Sequence, residues 1–367
     1  MYKFQIYQPY LIGNEKKYVN ECLESTWISS KGKFIKLFEE EFARFLGVKN
    51  AISVTNGTVA LHLALLALGI GEGDEVIVPT LTYIASVNAI KYVGAIPVFV
   101  DSDIETWQMD ANDILKKITR KTKAIIVVHL YGFMCDMEKI MDIAKTHNLY
   151  VIEDASEALG SKYNFKYAGS FGDIATFSFY GNKTITTGEG GMVVTNNYDL
   201  AVKVRTLKNQ GIGSNKEYAH EQIGYNYRMT NICAAIGKAQ LENIEIILKK
   251  KRDIAFVYMD ELKYYPLKFL FENEKIRNSF WMVTISLTDA SMRQQLRDFL
   301  ADNGIETRAA FPPVHTFEFY KKYAISSYKN AEILSRSGLN LPSYPNLSKR
   351  DILYITSKIR IFFDNYK

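Results

Sequence analysis

The sequence predicts an α/β fold: a large first domain built on a mostly parallel, mixed sheet, followed by a smaller C-terminal α+β domain. Three observations carry that expectation. Between residues 50 and 200, short β-rich runs alternate with helix-period segments, the pattern of strands joined by crossover helices. Several runs, Ile125-Ile126-Val127-Val128 among them, are apolar throughout, as strands covered on both faces are. After Gly191 the alternation stops and helical periods take over.

In order, residues 51–54 read as a strand and 58–68 as a helix stopped by Gly69. Residues 75–78 form the next strand, closed by Pro79, and 83–93 a helix that ends at Gly94. Strands follow at 97–100, 124–129 and 150–153, with a helix at 137–147 between the last two. Residues 174–179 and 192–195 flank a Gly-rich turn, and helices dominate from Leu200 onward. A single long helix over 232–262 is expected to bridge into the second domain. That domain holds a strand at 282–287, a helix at 293–303 and a closing helix from about Arg350. With the boundary drawn at 245, the domains are 1–245 and 246–367; no internal repeat or low-complexity linker separates them, which implies tight packing.

At 367 residues, 47% hydrophobic and 23% charged, the chain can bury a large core and is not of the disordered class. The net charge of +5 comes from scattered lysines. The densest basic run, Lys249-Lys250-Lys251-Arg252, lies in a helical pattern and reads as a solvated helix face. No base-stacking or groove-reading motif accompanies it, so small anionic substrates are expected and nucleic acid is not. Cys22, Cys135 and Cys233 lie far apart without a CxxC pair, predicting reduced thiols and neither a disulfide framework nor a zinc site. The chain shows no signal-peptide pattern and no run long and apolar enough to span a bilayer, so the expected setting is the cytoplasm, with no membrane partner.

Chemistry concentrates in four segments. From Thr176 through Ser178 and Asn182 to Lys183, and on to Gly191, a lysine stands just past a buried strand and before a turn of small polar residues. A lone loop lysine is by default a surface residue, but lysine amines condense with carbonyls where a pocket lowers their basicity. Here Ser178 offers a hydroxyl to a phosphate and the glycines let backbone approach a ligand. In the second segment, Asp154 leaves the carboxyl end of a buried strand, where open α/β folds bind ligands. Alone it reads as a helix cap; with Lys183 downstream it reads as a partner for a pyridine nitrogen.

The third segment, residues 53–62, runs strand, tight turn at Asn56-Gly57-Thr58, helix N-terminus, a suitable phosphate site. It is neither a Walker loop nor a GxGxxG, which counts against a Rossmann dehydrogenase. The fourth, Gly224-Tyr225-Asn226-Tyr227-Arg228-Met229-Thr230-Asn231, crowds aromatics, amides and an arginine into a turn and predicts ligand or subunit contact. His315, in the loop Phe311-Pro312-Pro313-Val314-His315, is a candidate for a substrate rim.

Together these segments resemble the DegT-type nucleotide-sugar aminotransferases, a branch of the aspartate-aminotransferase fold (fold type I of the pyridoxal-phosphate enzymes). The resemblance runs nearly end to end, from Tyr7-Gln8-Pro9 and Trp27-Ile28-Ser29-Ser30-Lys31-Gly32 to Gly338-Leu339-Asn340-Leu341-Pro342-Ser343. Asn56-Gly57-Thr58, Glu153-Asp154-Ala155, the run from Ser178 to Lys183, and Thr187-Gly188-Glu189-Gly190-Gly191 carry it most. It implies that Lys183 carries pyridoxal 5′-phosphate (PLP) and moves protons, and that Asp154 pairs with the pyridine nitrogen. It also implies that the Gly57 and Thr58 amides and the Ser178 hydroxyl hold the phosphate, and that Tyr83 stacks on the ring. Asn226 would reach the phosphate of the neighbouring subunit's cofactor, which makes the enzyme a homodimer at least.

The implied substrate contacts are Trp27, Ser29, Asn182, Arg228, Arg308 and His315. Many relatives have glutamine where this chain has Glu157, beside the cofactor's ring oxygen; a carboxylate there needs a proton or a changed hydrogen-bond pattern. The implied reaction moves the amino group of L-glutamate onto a nucleotide-linked 4-keto-6-deoxy sugar, in lipopolysaccharide O-antigen synthesis. Residues 181–194 and 225–237 are most similar to members that act on GDP-4-keto-6-deoxy-D-mannose. The alternatives are a dTDP- or UDP-linked 4-keto-6-deoxyglucose as substrate, or a PLP-binding regulator without activity. Related dehydratases have histidine in place of the lysine, so Lys183 favours transamination.

Overall fold

The computed structural model describes residues 2–213 and 218–365. Two helices open the chain, α1 (Glu15–Glu24) and α2 (Lys33–Leu46). Helix α2 buries Phe34, Phe38, Phe42 and Leu46 along one face and ends at Gly47, whose φ of 72° supplies the left-handed cap. The expected alternation follows: β1 (Asn50–Val54), α3 (Gly57–Ala67), β2 (Glu75–Pro79), α4 (Ala85–Tyr92) and β3 (Ile96–Val100). It continues through α5 (Ala111–Lys117), β4 (Thr122–Val128), α6 (Met137–His147) and β5 (Tyr150–Asp154). A short pair, β6 (Lys162–Tyr163) and β7 (Lys166–Tyr167), precedes β8 (Ile174–Ser178), β9 (Gly191–Thr195) and α7 (Tyr198–Lys208).

The central sheet has the order β1-β9-β8-β5-β4-β2-β3, and every pairing is parallel except the two made by β9. This is the mostly parallel mixed sheet the alternation predicts. The carboxyl ends of β1, β5 and β8 open on one edge, where Gly57 begins α3, Asp154 ends β5 and Lys183 lies in the turn after β8.

Beyond β9 the structure corrects two expectations. The single helix over 232–262 is two, α8 (Asn231–Glu242) and α9 (Ile244–Leu262), broken at Asn243 with φ −111° and ψ 12°. The Asn243 amide turns back to donate to the Ala239 carbonyl at 3.1 Å, the local competition by which asparagine ends helices. The basic run forms a solvated face only in part: Lys249 is exposed and Lys250 half-buried, but Lys251 is not on that face. The inward stripe of α9 is Ile247, Leu248, Lys251, Ile254, Ala255 and Tyr258, so the helical period carries Lys251 inside. Its Nζ donates to the Ser343 carbonyl at 3.1 Å and lies 5.1 Å from the centre of the Tyr7 ring. Burial pushes this ammonium down to about 7.

The remainder comprises β10 (Leu267–Phe269), β11 (Ile276–Arg277), β12 (Val283–Leu287), α10 (Met292–Asp302) and β13 (Arg308–Ala309), then α11 (Lys329–Ser337), β14 (Gly338–Leu341) and α12 (Lys349–Asn365). An antiparallel sheet runs β10-β12-β14-β13, and β11 joins β6 and β7. Two cores result, one around the central sheet and one between the antiparallel sheet and α9, α10 and α12. Helix α9 serves both: Ile244, Ile247 and Leu248 lie in the first, Ile254, Ala255, Tyr258 and Leu262 in the second. Val314, Tyr320, Tyr328 and Leu334 return to the large core, and Phe4 joins the small one. Among the described residues no helix is long and apolar enough to cross a membrane.

Candidate active site

A cavity of about 700 Å³ opens where the parallel strands end. It brings together Gly57, Thr58, Tyr83, Asp154, Glu157, Ser178, Asn182, Lys183 and Arg308, all expected from the sequence. Its floor is the β1–α3 junction. Asn56, extended at φ −168° and ψ 172°, caps α3 by accepting the Val59 N–H at 3.0 Å. Gly57 and Thr58 begin the helix, so their N–H groups have no intrahelical acceptor and the positive end of the dipole faces the cavity. A Cβ on Gly57 would lie 2.8 Å from Ser178 Cβ and 3.3 Å from its Oγ, with Ser156 Oγ at 3.4 Å. Glycine lets both hydroxyls close on the helix start, and this cradle of N–H and O–H donors fits a phosphate.

Asp154, the last residue of β5, accepts the Ser86 hydroxyl at 2.7 Å and the Ser156 N–H at 3.2 Å. Both partners are neutral, and the buried carboxylate makes no salt bridge among the described residues. A negative charge so enclosed is suited to a cationic ring nitrogen.

Lys183 follows β8 on a turn clamped at two successive carbonyls. Trp281 Nε1–H donates to the Asn182 carbonyl at 2.7 Å, and the Tyr7 hydroxyl donates to the Lys183 carbonyl at 2.5 Å. Lys183 Nζ lies 3.7 Å from Glu157 Oε1 and 4.2 Å from the centre of the Trp281 ring. Glu157 Oε2 accepts the Tyr131 N–H at 2.8 Å. Burial pushes the Glu157 carboxyl up to about 7, against the opposing pull of Lys183.

The backbone of Tyr131 holds a φ of 56°, a left-handed conformation that costs an aromatic residue energy and here aims its N–H at Glu157. Its ring is fixed between Trp281, 6.2 Å away and 10° from parallel, and Phe311, 5.4 Å away and 21° from parallel. Its hydroxyl accepts the Phe311 N–H at 3.0 Å, and Asn340 lines the cavity beside it. Tyr7, Tyr131, Trp281, Phe311 and Asn340 are among the site residues that sequence reasoning misses. Tyr7 and Asn340 lie in segments of family resemblance, but no local pattern marks any of the five as part of the site.

The other expected residues lie elsewhere. The Trp27 and Ser29 carbonyls pin the start of α8, accepting from Asn231 Nδ2 at 2.7 Å and Asn231 N at 2.6 Å. Asn226 Oδ1 accepts from Arg228 Nη2 at 3.0 Å, outside the cavity. His315 is buried against Tyr328, its Nδ1 2.7 Å from Thr80 Oγ1. In the cavity lining, Asn182 Oδ1 is buried and, among the described residues, has no hydrogen-bond partner, as atoms that meet a ligand do.

Residues 9–360 match the DegT/DnrJ/EryC1/StrS aminotransferase family. The chain is 58% identical to the GDP-perosamine synthase of Escherichia coli O157:H7 over 98% of each chain. It is 49% identical to the GDP-perosamine synthase of Vibrio cholerae, over 98% of this chain and 99% of that one. Spr1654 of Streptococcus pneumoniae, solved in a PLP form, has a TM-score of 0.94 to this structure at 28% identity, covering 99% of each chain. The chain belongs to the DegT/DnrJ/EryC1/StrS aminotransferase family and shares its dependence on pyridoxal 5′-phosphate.

Proposed function

We propose that this protein transfers the amino group of L-glutamate to C4 of GDP-4-keto-6-deoxy-D-mannose, giving GDP-perosamine. The observation that carries the reading is Lys183, Asp154 and the Gly57–Ser178 cradle around one cavity, in a chain 58% identical to a GDP-perosamine synthase. When bound, PLP supplies an aldehyde that condenses with amines and a ring that withdraws electrons. The Gly57 and Thr58 N–H groups and the Ser178 hydroxyl hold its phosphate, Asp154 faces its ring nitrogen and Tyr83 covers its ring. Lys183 anchors it, then moves a proton to and from C4 of the sugar. Arg308 and the unpartnered Asn182 Oδ1 meet the sugar nucleotide.

A second copy of the chain closes the mouth and brings Asn226 to the phosphate across the interface. The support is exposed aromatic surface on the cavity wall, where Tyr83, Tyr92 and Tyr180 are 57%, 56% and 52% exposed. The free thiols of Cys22, Cys135 and Cys233 support a reducing, cytoplasmic setting.

The test is spectroscopic. The purified protein is expected to be yellow, to bleach with L-glutamate and to recover its colour with GDP-4-keto-6-deoxy-D-mannose. A chain that stays colourless after incubation with PLP, or recovers only with a dTDP- or UDP-linked keto-sugar, overturns the reading. Lys183→Ala is expected to lower turnover by at least about a hundredfold.

A further inference from the structure

Lys183 and Glu157 together face a proton problem. If Lys183 joins the cofactor, as proposed above, its nitrogen reacts only as the free amine, so its ammonium must first lose a proton. Around that ammonium, Trp281 presents only its ring face. The Asp154 oxygens are engaged by Ser86 and Ser156. Glu157 Oε1 lies 3.7 Å away, and among the described residues it has no other donor, because the Tyr131 N–H is on Oε2. Glu157 itself faces Lys183, Asp154 and the Tyr131 N–H. Both side chains of the pair are largely enclosed, at 13% and 6% exposure, so exchange of the proton with bulk water is restricted.

We propose that Glu157 is the proton acceptor of Lys183: the ammonium closes from 3.7 Å to hydrogen-bond contact with Oε1, and its proton passes there and stays in the site as the lysine condenses with the cofactor's aldehyde. The step balances. The nitrogen keeps its electron pair for the carbonyl carbon, two of its hydrogens leave with the carbonyl oxygen as water, and the third is held as Glu157 carboxylic acid. The pair changes from one positive and one negative charge to none, so no unpaired charge is left buried. Burial supports the transfer by raising the carboxyl's proton affinity toward that of an amine. The Tyr131 N–H keeps the acceptor in place throughout, since it binds the oxygen that does not take the proton. A glutamine at this position accepts no proton, so the inference assigns this chain's glutamate a task of its own.

The experiment is infrared difference spectroscopy of cofactor-free enzyme loaded with PLP at about pH 8, where the carboxyl starts ionised. As the yellow colour appears, a carboxylate band is expected to fall and a carboxylic-acid band to rise. The new band should shift in protein made with carboxyl-13C glutamate and be absent from Glu157→Gln. Colour without a carboxylic-acid band, a band insensitive to the glutamate label, or the same band in Glu157→Gln overturns the inference and leaves the cofactor reading standing. The labelled parent chain decides between glutamate and Asp154 even if the variant does not fold. No colour at all overturns the cofactor reading and takes this inference with it.

Discussion

Glu153 and Glu157 stand four residues apart, one in β5 and one just beyond it, both buried, and the fold treats them in opposite ways. Glu153 points to the back of the sheet. Its Oε1 accepts the Phe171 and Gly172 N–H groups, each at 2.7 Å, and its Oε2 accepts the Gly169 N–H at 2.8 Å and lies 3.1 Å from His129 Nε2. Asp154, the next residue along the strand, faces the cavity, as alternation requires. Glu157, on that same cavity side, has one backbone donor and an ammonium 3.7 Å away, beyond hydrogen-bond reach. A saturated carboxylate fastens a loop to a sheet, whereas a half-satisfied one keeps a protonation state that a neighbour can change. Identical side chains thus become an anchor and a proton site through the number of donors the backbone brings.

The largest effect is expected from Glu153→Ala. It strands the Gly169, Phe171 and Gly172 N–H groups and the His129 ring without their acceptor, at a cost of about 3–5 kcal/mol in urea unfolding. A loss under about 1 kcal/mol would break the comparison, because the anchor would then be no anchor.

Glu157→Gln should change stability in the other direction, and only over part of the pH range. A carboxyl raised from 4.5 to about 7 holds its proton more tightly folded than unfolded, so stability is lost as pH rises through that interval. Above it the full penalty of the buried charge applies, and glutamine removes that penalty while still accepting the Tyr131 N–H. The cofactor-free variant is expected to match the parent chain near pH 4.5 and to exceed it above about pH 7, by at most about 3 kcal/mol. A difference that stays flat across that interval in urea titrations would show that Glu157 carries no such strain.

The same contrast separates what the sequence discloses from what it hides. Gly57, Asp154 and Lys183 are legible because their chemistry is local: each sits where a buried strand gives way to a turn, and the central sheet follows from the alternation that places them. The backbone partners that make Glu153 an anchor lie 16 to 19 residues on, in a loop with no distinguishing pattern, and His129 lies 24 residues before it. Tyr131, Trp281 and Phe311 meet only through packing between distant segments. Strands β10, β11 and β13 have three residues at most, too few to show a period. The break at Asn243 is hidden because both flanking helices are apolar in their own period. Lys251 is different, since Ile247, Leu248, Ile254 and Ala255 mark the stripe it lies on, and the run of charge concealed a signal that was present. For His315, a Pro-rich loop suggests a rim, yet Thr80 and Tyr328 hold its ring inside.

The smallest effect is expected at the other end of the Lys183–Glu157 pair. Tyr7, 176 residues earlier in the chain, holds the Lys183 carbonyl with one hydroxyl. Tyr7→Phe keeps the ring against Lys251 and removes that single donor, for a loss of about 1 kcal/mol. Burial pushes the Tyr7 phenol well above its ordinary value, so the hydroxyl stays protonated and the loss should be the same below and above the Glu157 interval. Urea unfolding of Tyr7→Phe at the two pH values used for Glu157→Gln therefore separates a fixed hydrogen bond from a titrating group. A loss that grows with pH would mean that the Tyr7 clamp responds to the Lys183–Glu157 proton, and the backbone of Lys183 would then belong to the proton site rather than to its support.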